Sequence, residues 1–190
     1  ANRFYGGHGI VGAQVPIGVG LAFAHKYRNE KKISRVYVGD GAMSNGQVFE
    51  AFNLASLWDL PVLFIIENNR YGMGTAVNRS AAGKDLYERA TVFGVEGEKI
   101  NGMDFFEVSQ AAIRARDHIY EYSKPYVIEM DTYRYRGHSM SDPATYRTKD
   151  EVNEMKSNDP LISMKNKLMK DFKIKEDEIT DIEANIKKQI

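Results

Sequence analysis

Two short motifs carry the residues best suited to chemistry, and they occupy equivalent places in the chain. Gly39-Asp40-Gly41 follows the strand-like run 33–38, and Asn68-Asn69 follows the apolar run 61–66, with a helix-patterned segment between them. If both runs are strands of one parallel sheet, their ends sit side by side at its carboxyl edge, where such sheets bind ligands. Asp40 and Asn69 then converge although they are distant in sequence. A carboxylate and an amide oxygen are hard ligands, suited to Mg2+ whose other positions are filled by phosphate oxygens and water. Gly41 lets the backbone approach a phosphate, and the start of the following helix offers free N–H groups. Alone, Gly-Asp-Gly reads as a turn. Its pairing with Asn-Asn at the next strand end reverses that preference.

A second candidate is Gly7-His8-Gly9-Ile10-Val11-Gly12, which matches the G-x-G-x-x-G dinucleotide fingerprint. Its context weighs against a nicotinamide cofactor. No complete strand reads before Gly6, and Glu30-Lys31-Lys32 are polar and precede the next strand instead of ending it. The alternatives are a tight turn with backbone packed on backbone, or a glycine-lined contact with a flat ligand ring. Of the histidines, His25 and His118 fall in helical stretches. His138 falls in a polar loop with Arg134, Arg136, Ser139, Asp142 and Arg147. The residues alone leave His138 open between a solvated and a functional role. The clustered arginines can order the loop or meet an anionic group.

The elements that must position these residues alternate between strand and helix patterns. Residues 33–38 read as a strand and 47–58 as a helix capped by Ser44 or Asn45, with Val48, Phe52 and Ala55 on one face. Residues 61–66 form a continuous apolar run, as in a strand buried on both sides. Asp104 to Glu107 has capping-box spacing, and Phe105, Val108, Ala112, Ala115 and Ile119 form a helical stripe. Residues 125–132 read as a third strand. The pattern predicts an α/β fold, a mostly parallel sheet with helices on both faces.

All sixteen glycines lie at or before Gly137, and Phe172 is the sole aromatic residue after Lys149. This shift divides the chain into an α/β domain, 1–148, and a helical tail, 149–190. In the tail, Leu161, Met164, Leu168 and Phe172 form one stripe and Ile179, Ile182, Ile186 and Ile190 another. They predict two amphipathic helices packed on the body or on a partner. The charges balance, 26 basic against 26 acidic residues, which weighs against a nucleic-acid groove or a polybasic membrane contact. The absence of cysteine excludes disulfides, thiolate metal sites and a cysteine nucleophile. The longest apolar runs, such as 60–66, are too short to span a bilayer. A glycine-dense motif so close to an opening Ala1 predicts that further sequence precedes it.

The segment from Gly39-Asp40-Gly41 through Asn68-Asn69 resembles the thiamine diphosphate motif, which opens with Gly-Asp-Gly and closes with Asn-Asn. The likeness extends to residues 4–14, 67–75 and 133–143. Together these blocks are similar to the alpha subunits of pyruvate dehydrogenases, in the thiamine diphosphate-dependent 2-oxo acid dehydrogenase family. The resemblance covers essentially the whole chain, although alpha subunits of that family carry a substantial N-terminal region before this point. It implies a thiamine diphosphate-binding fold in which Asp40, the Asn69 side chain and the Tyr71 backbone carbonyl hold Mg2+. Gly41 and Ala42 would touch the diphosphate, Gly9 and Val11 would line the aminopyrimidine ring, and His138 would be the active-site histidine.

The implied activity is oxidative decarboxylation of pyruvate, with the acetyl group passing to a lipoyl group on dihydrolipoyl acetyltransferase. The implied assembly is two alpha and two beta chains. The beta subunit supplies the carboxylate that activates the cofactor, so this stretch alone is expected to be inactive. The implied compartment is the bacterial cytoplasm or the mitochondrial matrix, and in mitochondrial members the serine matching Ser139 is a kinase target. Sister families acting on branched-chain 2-oxo acids or acetoin are close alternatives, with residues 70–75 favouring the pyruvate branch. An NAD-binding dehydrogenase and an inactive assembly fragment are the alternatives of other classes.

Overall fold

The computed structural model describes residues 3–83 and 85–190. Helix α1 (Gln14–Tyr27) precedes strand β1 (Ser34–Gly39). A 3-10 turn (Asp40–Ser44) leads into helix α2 (Gly46–Leu57) and strand β2 (Val62–Asn68). A small hairpin, β3 (Tyr71–Gly72) and β4 (Thr75–Ala76), is followed by the short helices α3 (Val77–Ser80) and α4 (Glu88–Thr91). Then come β5 (Glu96–Asn101), α5 (Phe105–Tyr122) and β6 (Tyr126–Asp131), and after them α6 (Lys149–Ser157), α7 (Pro160–Asp171) and α8 (Glu176–Gln189).

The main sheet has the order β1-β2-β6-β5, with each neighbouring pair parallel. A parallel sheet must be covered on both faces, and β2 shows how the sequence provides for this. Val62, Phe64 and Ile66 point to one face, where Val36, Val38 and Val127 join them beneath Val15 and Val19 of α1 and Val48 and Phe52 of α2. Leu63 and Ile65 point to the other, where they meet Ile100, Ile128 and Ala111, Ala115 and Ile119 of α5. Phe52 stands edge-on to Phe64 at 4.8 Å between ring centroids, a favourable aromatic geometry. The apolar run that predicts a strand buried on both sides is the strand inserted between two layers of helix.

Four local features depart from the sequence reading. β5 is a fourth strand that the pattern does not reveal: it is an edge strand carrying Glu96, Glu98 and Lys99, and only Ile100 on it is buried. On α5 the buried stripe runs through Ala111 and not Ala112, because Ala115 and Ile119 lie at successive four-residue steps from it. Asp104 caps α5 as expected, accepting from the Phe106 and Glu107 N–H groups, but the Glu107 carboxylate accepts from Asn101 N–H at the end of β5. The C-terminal segment forms three helices instead of two, since Thr148 caps an additional one by accepting from Glu151 N–H. Phe172 after α7 stacks on Phe106 of α5. Ile179 is buried, whereas Ile182, Ile186 and Leu161 are exposed.

Candidate functional site

β1 and β2 stay in register up to the pair Gly39 and Glu67, so Asp40 and Asn68-Asn69 leave the sheet at the same level. β3 packs against the Asp40–Ser44 turn that follows β1. The approach is close: a Cβ added to Gly41 would lie 3.2 Å from the Gly72 Cα, and one added to Gly72 would lie 3.2 Å from the Gly41 Cα. Only glycine allows two backbones to lie on each other in this way. The chain turns sharply after β2. Asn68 Oδ1 accepts from Arg70 N–H at 3.2 Å, Asn69 Oδ1 accepts from Tyr71 N–H at 3.3 Å, and Arg70 adopts the left-handed conformation with φ 72°. Asn69 and the Tyr71 carbonyl are thereby carried to the segment that bears Asp40.

Asp40 is only 5% exposed, and its Oδ2 atom has no hydrogen-bond partner among the described residues. Burial pushes its carboxyl above the usual Asp value. The N–H groups of Gly41 and Asp40 itself, and the positive charge of Arg134, only partly oppose this. A buried carboxylate oxygen without a donor is unfavourable unless a cation or a proton meets it. Among the described residues no three His, Cys, Asp or Glu side chains cluster as a metal cage. A cation here would therefore depend on one carboxylate, amide and carbonyl oxygens, and oxygens from a ligand. That donor set fits Mg2+ in company with a phosphate.

The glycine-rich front is fastened to the same region. The Val11 carbonyl accepts from Asn45 Nδ2 at 3.0 Å and Gln47 Nε2 at 3.1 Å, and Asn45 is the N-cap of α2. Val11, 65% exposed, is thereby tied to the end of the turn that contains Gly41 and the buried Ala42, and Gly9 lies exposed two residues before it. Residues 3–9 form no strand and α1 begins only at Gln14, which is not the strand-turn-helix context of a dinucleotide fingerprint.

The loop after β6 reaches the site through Arg134, whose guanidinium donates to the Tyr71 carbonyl at 3.0 Å, the Met73 carbonyl at 2.6 Å and the Tyr146 hydroxyl oxygen at 2.8 Å. Arg147 donates to the Arg134 and Arg136 carbonyls, and its guanidinium lies 5.2 Å from the Tyr133 ring centroid. The Asp142 carboxylate accepts from the N–H groups of His138 at 2.6 Å and Ala144 at 2.8 Å, and from Tyr146 Oη at 2.8 Å. These donors hold its carboxyl below the usual Asp value. Tyr71 and Tyr133 both donate to Glu151 of α6. Burial, reinforced by that carboxylate, raises both phenols, Tyr133 to about 12. His138 is exposed, and its backbone is held by Asp142.

A sequence model of the family described as "Dehydrogenase E1 component" matches residues 1–190. The chain belongs to the dehydrogenase E1 component family. It is 52% identical over 186 residues to the pyruvate dehydrogenase E1 component subunit alpha of Rickettsia felis, covering 98% of this chain and 57% of that protein. The subunit of the same name from Rhizobium meliloti is 51% identical over 187 residues, covering 98% of this chain and 54% of that protein. The mitochondrial type I alpha subunit of Ascaris suum is 51% identical over 191 residues, covering 100% of this chain and 48% of that protein. The chain thus spans about half the length of the curated relatives it matches.

In this E1 component chain the structure also involves residues that the sequence reading passed over. Glu151 joins two tyrosines across three elements, and nothing in a charge-rich tail distinguishes it beforehand. Glu129 is a different case. It is an acid inside the strand pattern Val127-Ile128-Glu129-Met130, on the same face as the buried Val127, and that parity marks it as a buried charge. No helix among the described residues is long and apolar enough to cross a membrane.

Proposed function

We propose that this chain is the cofactor-holding portion of a pyruvate dehydrogenase alpha subunit. The activity of the whole protein is then oxidative decarboxylation of pyruvate, with acetyl transfer to a lipoyl group of dihydrolipoyl acetyltransferase. The observation that carries the reading is the unpartnered, buried Asp40 Oδ2 at the end of β1, beside the turn that bears Asn69 and the Tyr71 carbonyl. Asp40, Asn69 and Tyr71 would hold Mg2+. The backbone at Gly41 and Ala42 would receive the diphosphate. Gly9 and Val11 would lie against the aminopyrimidine ring. Thiamine diphosphate, when bound, supplies a nucleophilic carbon and an electron sink.

The chain's own residues then bind, orient and shield. Met43 of the Asp40 turn and Phe52 of α2, both fully buried, anchor these two segments in one core. Arg134 ties the His138 loop to the Tyr71 carbonyl, which supports a shared site for His138 and the residues that would hold the metal. His138 would orient pyruvate and stabilise the charge that develops on it. The beta subunit, in an assembly of two alpha and two beta chains, would complete the site. The compartment that follows is a bacterial cytoplasm or a mitochondrial matrix.

Calorimetry on the assembled enzyme tests the reading. Asp40→Ala is expected to abolish Mg2+-dependent thiamine diphosphate binding, and wild-type affinity in that variant would refute the metal assignment. The purified chain by itself, lacking the beta subunit's carboxylate, is expected to release no CO2 from pyruvate.

A further inference from the structure

Glu129 is completely buried, 0% exposed, in the middle of β6. Burying a carboxylate is costly unless donors surround it, and its donors here come from three directions. Asn68 Nδ2 donates to Oε1 at 2.7 Å, the backbone N–H groups of Leu86 and Tyr87 donate to Oε2 at 2.6 and 3.0 Å, and Lys99 Nζ lies 3.8 Å from Oε1. Lys99 is itself bonded to Asp85 at 2.7 Å.

The contact with Asn68 matters most. Asn68 immediately precedes the Asn69 assigned to the metal. An amide facing a carboxylate has no choice of orientation: its NH2 must point to the acid, so its oxygen points away. The Asn68 oxygen accepts from Arg70 N–H, and this bond supports a left-handed conformation that arginine disfavours on its own. The Asn68 carbonyl accepts from Thr132 N–H at 2.9 Å, so β6 and its continuation hold both polar ends of this residue. We propose that Glu129 is a positioning residue of the cation site: by fixing the Asn68 carboxamide it holds the 68–71 turn in the shape that presents Asn69 Oδ1 and the Tyr71 carbonyl to the metal. The inference rests on the Mg2+ reading above. Glutamine would not substitute, because its NH2 would face one of the converging donors. Groups that orient metal ligands in this way are typically worth about 10–100-fold in metal affinity.

The test uses the full-length protein assembled with its partner chain, with Mn2+ as a spectroscopic probe in the presence of thiamine diphosphate. Binding is followed by electron paramagnetic resonance for wild type, Glu129→Gln, Asn68→Ala and the double variant, and folding by circular dichroism. Both single variants are expected to weaken Mn2+ by about 10–100-fold, and the double variant no further than the weaker-binding single, because both act through one contact. Wild-type affinity in folded Glu129→Gln, or losses that multiply in the double variant, would overturn the proposal. If Glu129→Gln fails to fold, Asn68→Ala decides alone, since it leaves the Leu86, Tyr87 and Lys99 contacts of Glu129 in place; unaltered Mn2+ binding there overturns it equally. Absence of Mn2+ uptake by the wild type would instead refute the metal reading itself, and this inference with it.

Discussion

Asp40 and Asn69 stand at the ends of strands packed into the core, β2 on both faces and β1 on one, whereas His138 stands on a loop held mainly by polar side chains reaching carbonyls. The first half of the site takes its shape from two hydrophobic layers, and moving it means unpacking α1, α2 or α5. The second takes its shape from Arg134, Asp142, Tyr146 and Arg147, through hydrogen bonds that each contribute only about 0.5–3 kcal/mol net. Rigid geometry is therefore concentrated where a metal would sit. The histidine is carried by the part that can rearrange at small cost, as loops that open and close over active sites do.

The largest effect is expected from forcing the two halves of the strand-end apart. Gly72→Val places two methyl groups against the Gly41 backbone, where even a single Cβ would be crowded. Thiamine diphosphate binding should fall by about 100-fold or more and the melting temperature should drop by several degrees, as strained overpacking typically costs about 1–3 kcal/mol. Calorimetry and thermal scans read the two losses together. Next comes Ser139→Glu, which adds charge to the exposed loop beside His138. Pyruvate turnover in the assembled enzyme should fall by about tenfold or more while the melting temperature hardly moves, since exposed substitutions are usually within about 0.5 kcal/mol. A turnover loss explained entirely by unfolding would erase the distinction between the two halves.

A smaller change of opposite sign is expected from Asp40→Asn. Because burial raises the Asp40 carboxyl, the folded chain binds its proton more tightly than the unfolded chain. Stability without metal should therefore decline as pH rises from the ordinary Asp value through the raised one. An amide in its place does not titrate and lacks that decline, so the metal-free variant should melt higher than wild type at pH 7 and gain nothing from Mg2+. Scans across pH with chelator and with Mg2+ check both statements. The smallest effect belongs to Asp142. Its carboxyl is lowered, so its contribution to loop order is complete above the ordinary Asp value and is lost as pH falls through the lowered one. Hydrogen exchange at His138 and Ala144 should show that acid transition, and Asp142→Asn should remove it.

The parts of the fold that were legible in advance are those where one physical demand dominates. Residues 61–66 need two apolar layers, and they receive them in α1, α2 and α5. The strand-end motifs were legible because Gly-Asp-Gly and Asn-Asn repeat the same position on successive strands, and β1 and β2 do pair in that register. β5 was not legible, because an edge strand with three charged residues resembles a loop. The loop network was legible only as a cluster of arginines. Which carbonyl each guanidinium meets depends on the path of the backbone, and side-chain type does not encode that path. Glu129 left a trace in its strand parity, but its partner Asn68 lies 61 residues away and can be recognised only once the strand order is known.

That separation has a kinetic meaning. In the sheet β6 lies between β2 and β5, although β5 precedes it in the chain. The pairing of β2 with β6 must therefore close a long loop before any of its hydrogen bonds form, and such non-local parallel pairing is slow. Until β6 inserts, Asn68 has no carboxylate to orient it and the 68–71 turn has no fixed shape. Competence to bind a cation should accordingly appear late in refolding, after most helical structure has formed. A ligand supplied during refolding should slow unfolding without accelerating folding.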